Sequence, residues 1–586
     1  MKTLLLHHED EPAKGPWATQ EWDRIVDAGL GGKSTYDDWS RHFRCPVTTL
    51  GSFWRGFDDF RQVRELLGLG CGRLIDEFAL DWWEIMSILL HGEIETLIRV
   101  QRFAGTIGPG DEVCVSRPGL HADLLRPLLG QRLKVFAMQH RSRKGLQHYL
   151  RISTKLSLPQ MIDVFWDKYD SGYQLRGQLQ RKRRPRKRGS SMRPVVLVPT
   201  AYVNVSRTGV AYANTFPGED FLLVTTRRSG WLNNLPKNME AARLSSYASV
   251  LDRSHENANL EVRFRALLKE LCAAPELEIL NRLGYFDSFP RRFRHGIEVR
   301  DAWRNVLDSE PVQAVLCADD SNPYTRIPLL LARSRGLPNI ACHHGALDGR
   351  YVFKRTYGDI IWAKGNMELD YLVRKCGVPS EQVEICAPVL PAKAKAASNW
   401  NRNDFRPYLV FFSEVYEVSG GRLAGIYRDV LPPLADLALA TGRRLLVKLH
   451  PAESQQERTR MLARVLSADQ MSAVDVVSSP LTDNLLAKTW CGVTILSTVA
   501  MECAVRGIPC FLCKWLEGWP FEYVEQFIRY GVGIGLGNSG DIANIPQLLP
   551  LSPMRAGVND NFWQSAPGRL RELLTTPRKE CTAAAS

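Results

Sequence analysis

Short apolar runs alternate with stretches of helical spacing along most of this chain. In the first 140 residues the runs at 3–8, 112–116 and 133–136 predict strands, with a weaker one at 46–50. Segments 59–67, 75–103 and 120–129 repeat apolar positions every three or four residues and predict helices. The pattern resumes at 195–199 and 221–226 and passes through a largely helical stretch at 239–306. Strands at 312–318, 339–342, 359–362 and 383–385 follow. After a polar stretch at 399–406 the alternation is cleaner. Strands at 408–412, 444–448, 474–477, 493–496 and 510–512 are interleaved with helices at 424–441, 453–466 and 480–488. Strands that are apolar throughout and separated by helices belong to parallel sheets covered on both faces.

The fold class that follows is α/β, with two Rossmann-like doubly wound domains facing a cleft and helical insertions in the N-terminal half. Residues 1–395 are expected to form the N-terminal domain, with a basic exposed linker at about 174–194. Residues 396–575 form the C-terminal domain and 576–586 a tail. A length of 586 residues exceeds what one core supports, and 45% hydrophobic with 24% charged residues suits a globular chain. The net charge of +13 is concentrated in residues 181–188, where Arg181, Lys182, Arg183, Arg184, Arg186, Lys187 and Arg188 surround one proline. Thirteen cysteines, an odd number, argue against a closed disulfide framework, and Cys510 and Cys513 read as a buried structural pair. No apolar run is long enough to span a membrane, which places the chain in the cytoplasm.

Candidate chemistry gathers where strands end. The run 445–451 closes on Lys448, His450 and Pro451. Lys448 and His450 alternate toward one side, and the proline fixes the turn. A histidine there can donate to a phosphate oxygen, or bind it as a cation if its pKa is raised. Ser497 and Thr498 follow the next apolar run and open a helix, where hydroxyls and free N–H groups make a phosphate cradle. Glu502, four residues on from Thr498, is placed to bond a ribose hydroxyl or support the cap. Earlier, the run at 337–342 opens into His343, His344 and Gly345, then Asp348 and Gly349. The run before it ends in Asp319, Asp320, Ser321 and Asn322. A base that takes a proton from a hydroxyl is expected among Asp320, His344 and Asp348, with Asp319 an alternative. Neither an Asp-x-Asp cluster nor a His/Cys ligand set points to a metal.

The segments Lys448-Leu449-His450-Pro451, Ser497-Thr498 and His343-His344-Gly345, with the stretch at 358–365, together resemble the GT-B glycosyltransferases. The similarity is greatest to bacterial capsule and lipopolysaccharide transferases that use CMP-activated acidic sugars, and to CDP-glycerol glycerophosphotransferases. It spans about residues 310–515. The resemblance implies transfer of a sugar from a nucleotide donor, CMP preferred over UDP or CDP, to a hydroxyl acceptor in cell-surface polysaccharide or glycolipid synthesis. It implies no cofactor beyond the nucleotide-sugar co-substrate and no metal. The C-terminal domain would hold the nucleotide through Lys448, His450, Pro451, Ser497, Thr498 and Glu502, and the N-terminal domain would face the glycan or lipid-linked acceptor. The basic run would dock on an anionic membrane surface, making the enzyme peripheral at the inner face, while nucleic acid is disfavoured as a partner. Two departures stand out. The acidic Asp/Glu-Asp/Glu-Gly motif of sialyltransferase-like members is echoed only by Asp348-Gly349, and the first 190 residues match no family motif. Rival readings are a nucleotide-sugar epimerase of the two-Rossmann type and a non-catalytic nucleotide- or glycan-binding protein.

Overall fold

Apolar runs this short bury both faces of each strand, so the strands must be sandwiched between helices. The computed structural model describes residues 1–31, 33–136, 193–227, 230–248, 251–345, 347–387, 400–401, 403–416, 421–450, 453–516, 521–550 and 566–575. Their strands form three sheets. The first contains β1 (Lys2–Leu6), β2 (Arg24–Asp27), β3 (Val47–Thr49), β4 (Glu112–Val115) and β5 (Leu133–Val135), in the order β3-β2-β1-β4-β5. The second contains β6 (Val195–Thr200), β7 (Asp220–Thr225), β8 (Met239–Arg243), β9 (Val312–Cys317), β10 (Asn339–Cys342), β11 (Ile360–Ala363) and β12 (Val383–Ile385). Its order is β12-β11-β10-β9-β6-β7-β8. The third contains β13 (Tyr408–Phe412), β14 (Arg444–Lys448), β15 (Val474–Val477), β16 (Thr489–Thr494), β17 (Cys510–Cys513) and β18 (Ile534–Leu536), ordered β15-β14-β13-β16-β17-β18.

Every pairing between these strands is parallel. Counted from its own first strand, each sheet runs 3-2-1-4-5, continued to a sixth strand in the third sheet and a seventh in the second. This is the doubly wound order, and the α/β class expected from the sequence is the one found. The expected domain scheme differs. Residues 1–395 hold two sheets, not one, and the chain divides into two compact units that interleave in sequence. One unit comprises Met1–Asp59, Glu93–Lys144 and Lys395–Val558, and therefore carries the first and third sheets. The other comprises Phe60–Gly92, Gly145–Ala394 and Asn559–Ser586, and carries the second. The basic run 181–188 and the tail 576–586 lie outside the described residues.

Strand boundaries shift where polar residues interrupt. The run expected at 493–496 pairs from Thr489 to Thr494, which leaves Ile495 and Leu496 in the loop beyond the sheet. The helix expected over 75–103 is two helices, Trp82–Ser87 and His91–Gly105. Asp81 caps the first by accepting from the Trp83 and Glu84 N–H groups. Trp82 and Trp83 are fully buried, as a core reading requires. Strands β2, β8 and β18 were not expected, being short and carrying arginine, glutamate or glycine among their apolar residues. Cys510 and Cys513 are buried in β17, and every described cysteine is a free thiol.

One side chain joins the first and third sheets within their unit. Arg422 precedes the helix Leu423–Ala440 that follows β13. Its guanidinium donates to both oxygens of Asp27, the last residue of β2, at 2.7 and 2.6 Å, and to the carbonyls of Asp10 (2.6 Å) and His7 (3.0 Å). Asp27 is wholly buried and also accepts from Gly29 N–H and the Tyr36 hydroxyl. Removing one partner of such a pair leaves the other charge uncompensated. Arg422→Met is therefore expected to cost about 3–5 kcal/mol in urea unfolding, with Arg422→Met/Asp27→Asn recovering a large part of it. A loss under 1 kcal/mol in the single variant would rule out this pair as the fastening.

Candidate functional site

In open parallel sheets ligands bind beyond the carboxyl ends of the strands where the order reverses, between the first and fourth strands. In the third sheet that point lies between β13 and β16, with β14 on the other side of β13. Lys448 ends β14, His450 follows it two residues on, and Ser497 and Thr498 follow β16. The two segments flank one central strand, about 10 Å apart at two strand spacings. A Cβ at Gly492 would lie 2.7 Å from the Phe412 ring, so a larger residue there would have to displace that ring.

The polar groups between them had been missed. Ser413 and Glu414 follow β13 directly. The Glu414 Oε1 accepts from Thr494 Oγ1 at 3.2 Å and from the Leu496 N–H at 3.3 Å, bridging the reversal point. Ser413 donates to Glu453 at 2.9 Å. Glu453 in turn accepts from the His450 N–H (2.7 Å) and from Arg458 (2.8 Å). The turn after β14 is thus fixed by a buried glutamate. Pro451, expected to set that turn, lies outside the described residues. Position was the only signal for Ser413 and Glu414, as the first polar residues past the strand that opens the sheet.

The remaining expected residues fare differently. Burial, then the neighbouring Lys448 charge, pushes the His450 imidazole below its usual value, so at neutral pH it is uncharged and donates as a neutral ring. The cationic form considered from sequence is disfavoured. Lys448 is largely buried and folds its ammonium onto the Leu449 carbonyl at 2.7 Å, with burial lowering its pKa. Thr498 is exposed and begins the helix Val499–Val505 without a side-chain cap. That helix is seven residues long and its dipole is correspondingly slight, so the hydroxyls of Ser497 and Thr498 matter more than the helix end. Glu502 lies 3.9 Å from Arg506, and burial raises its pKa.

In the second sheet the reversal lies between β6 and β9. Tyr202, two residues past β6, donates to Asp319 Oδ2 past β9 at 3.0 Å, and its hydroxyl stands 3.1 Å from His344 Nε2 past β10. Burial lowers the His344 pKa, partly offset by Asp319, so the ring is neutral. Burial raises the Asp319 carboxyl. Asp320 and Asp348 are otherwise engaged. The buried Lys354 ammonium donates to Asp320 at 2.7 Å. Asp348 accepts from Ser321 (2.6 Å), the Arg350 N–H (3.1 Å) and the Arg350 side chain (3.0 Å), capping the turn Gly349–Phe353. Burial alone would raise Asp348, but Arg350, His343 and Lys354 outweigh it and hold the carboxyl well below its usual range. His343 accepts from the Gly345 N–H at 3.2 Å, and its carbonyl accepts from Lys364. Among the described residues no group of three or more His, Cys, Asp or Glu side chains is arranged to hold a metal ion.

No family model matches the chain, and no curated protein matches it. Solved structures do. The UDP-GlcNAc 2-epimerase of Methanocaldococcus jannaschii, in complex with UDP-GlcNAc and UDP, aligns at TM-score 0.40 and 11% identity, over 65% of this chain and 99% of its own. The calicheamicin glycosyltransferase CalG4 aligns at TM-score 0.36 and 11% identity, over 66% of this chain and 94% of its own. The wall teichoic acid polymerase TagF aligns at TM-score 0.35 and 11% identity, over 75% of this chain and 98% of its own. Likenesses this loose leave fold and site to be read from the chain's own strands.

Glu414 gives this site a pH dependence. Burial raises its carboxyl to about 7, against roughly 4.3 in an unfolded chain. A carboxyl raised on folding favours the folded state while protonated. That contribution is complete below the unfolded value and is lost as pH climbs through about 7. Glu414→Gln keeps the accepting oxygen and removes the charge. Its melting temperature should match the parent near pH 4 and exceed it increasingly up to pH 8. A constant offset across that range would show that Glu414 does not titrate there.

Proposed function

We propose that the chain is a nucleotide-sugar-dependent glycosyltransferase, moving a sugar from a nucleotide donor to a hydroxyl acceptor. The observation carrying this reading is the third sheet. A doubly wound order sets His450 on one side of β13 and Ser497 and Thr498 on the other, at the position where such sheets take nucleotides. The neutral imidazole and the two hydroxyls would donate to the donor's phosphate, stabilising the charge that grows on the leaving group. Glu502, partly buried in the helix that follows them, is assigned to the ribose hydroxyls.

Proton removal from the incoming hydroxyl is assigned to His344. Of the three residues expected for this task, it alone is held neither by a cationic side chain nor in a helical cap. An uncharged imidazole at neutral pH can accept a proton, whereas Asp320 and Asp348 are held by Lys354 and Arg350. CMP is preferred as the carrier over UDP or CDP, and a cell-surface glycan or glycolipid as the acceptor, on the resemblance of the sequence segments. No metal and no cofactor beyond the nucleotide sugar are assigned. No described helix is long and apolar enough to cross a membrane. Peripheral attachment at an anionic inner face through residues 181–188 belongs to the proposal alone.

Thermal-shift screening of CMP, CDP, UDP and GDP tests the first half. A nucleotide at 100 times its dissociation constant should add about 2.7 kcal/mol of stability, and His450→Ala should abolish the shift while leaving the unliganded melting temperature in place. No shift with any of the four, or a full shift in the variant, would refute the phosphate assignment. With a donor in hand, His344→Ala should lower transfer about 10²–10⁴-fold and leave the nucleotide shift untouched. Undiminished transfer would remove His344 from the reaction.

A further inference from the structure

The first sheet reverses its order between β1 and β4, as the other two do between their own first and fourth strands, and the proposed reaction makes no use of that point. Three imidazoles meet there. His7 and His8 follow β1, and His121 stands in the first turn of the helix Leu120–Leu129 after β4. The His7 and His8 ring centroids are 4.1 Å apart, and His121 reaches across the gap to within 6.2 Å of His7. His7 Nδ1 accepts from the Glu9 N–H at 3.3 Å, whereas the His8 and His121 rings have no hydrogen-bond partner among the described residues. Gly119, at φ 140°, leads into the helix without a side-chain cap, and a Cβ on it would meet nothing within 4 Å. The first N–H groups of that helix therefore open onto free space.

The acids around this gap are already matched. Arg117 pairs with Glu9 and Asp10, Ser116 donates to Asp10 at 2.8 Å, and Arg422 holds Asp27. The groups that bear on His121 are His7, His8 and Arg99, with no acid among them. Arg99 meets Glu95 only at 3.5 Å, and its buried Nε has no partner among the described residues. Donors thus outnumber acceptors beside a helix N-terminus, and the ligand that suits them is an anion with several acceptor oxygens.

We propose that the tip of the first sheet binds a phosphate group, held by His8, His121 and the opening N–H groups of the helix Leu120–Leu129. The site belongs to a different sheet from the nucleotide site and takes inorganic phosphate or the terminal phosphate of a small ester. On their own the rings are kept neutral by burial first and then by one another, with His7 and His121 both lowered to about 4. A bound anion offsets that desolvation and brings their protonation back toward the ordinary value of 6.5. The other charged groups that bear on His7 and His8 are Glu9, Asp10, Asp27, Arg117 and Arg422.

The test adds inorganic phosphate or ribose 5-phosphate to the full chain carrying 15N-labelled histidine, with binding followed by calorimetry and ring titration by NMR. Either ligand should bind, and the His7 and His121 titration midpoints should climb from about 4 toward 6.5. Tighter binding of the ester would mark the natural ligand as a phosphate carried on a larger molecule, and equal binding as free phosphate. His8→Ala/His121→Ala should weaken binding at least about tenfold, the worth of one hydrogen bond to a charged partner, while the thermal shift given by nucleotide persists. His450→Ala should lose the nucleotide shift and keep both phosphate binding and the histidine response. If the double variant does not fold, His8→Gln and the ring titrations of the unsubstituted protein carry the test. No binding of either ligand, ring titrations that stay in place, or phosphate binding lost in His450→Ala and kept in His8→Ala/His121→Ala would overturn the site.

Discussion

The constraint on which the rest of this molecule depends is that each sheet begins in its own middle. Strands one, two and three step outward to one side, and the fourth returns to pair on the other side of the first. Connections leaving strands one and four therefore run in opposite directions, and neither crosses over the gap between their tips. Whatever polar residues follow those two strands are left facing one another and must find partners. The chain meets that requirement in three ways. In the first sheet, Ser116 and Arg117 past β4 donate to Asp10 past β1, and Arg422 ties carbonyls past β1 and the carboxylate that ends β2 to the third sheet. In the second, Tyr202 and Asp319 bond across the gap and draw in His344. In the third, Glu414 bonds across to the end of β16.

Burial then decides the charge each group carries. Desolvation disfavours whichever form is ionised, so it raises carboxyls and lowers imidazoles. Glu414, Glu453 and Asp319 move up, and His344 and His450 move down. The strand tips are accordingly closer to neutral than a count of acids and bases along the sequence suggests. The buried Lys354 ammonium is matched by the equally buried Asp320 carboxylate. The same sorting separates groups held as scaffold from those free to exchange protons. Asp348 is locked as an anion by its cationic neighbours, while His344 stays a neutral acceptor.

Much of the fold was legible because it depends on local pattern. The runs at 339–342, 383–385, 408–412, 444–448 and 474–477 became strands with those bounds, and 120–129 became a helix, since apolar continuity and spacing are properties of neighbours in sequence. Short strands such as Arg24–Asp27 and Met239–Arg243 escaped, because charged residues at their ends hide an apolar centre that only sheet pairing completes. The histidines, the serine–threonine pair and the aspartates were found as residues ending apolar runs. Tyr202 and Glu414 were not, for neither belongs to a motif. Each matters through the strand placed beside it.

Composition and periodicity by themselves determined the α/β class, the strand-and-helix alternation and the polar character of the strand ends, because these follow from which side chains leave water. Tertiary structure alone decided that there are three sheets, that the first shares a unit with the third, and which of several candidate acids and bases are already paired. Those outcomes rest on contacts between residues hundreds of positions apart, such as Arg422 with Asp27. No local pattern records such a contact, since its energy exists only once both partners have been brought out of solvent together.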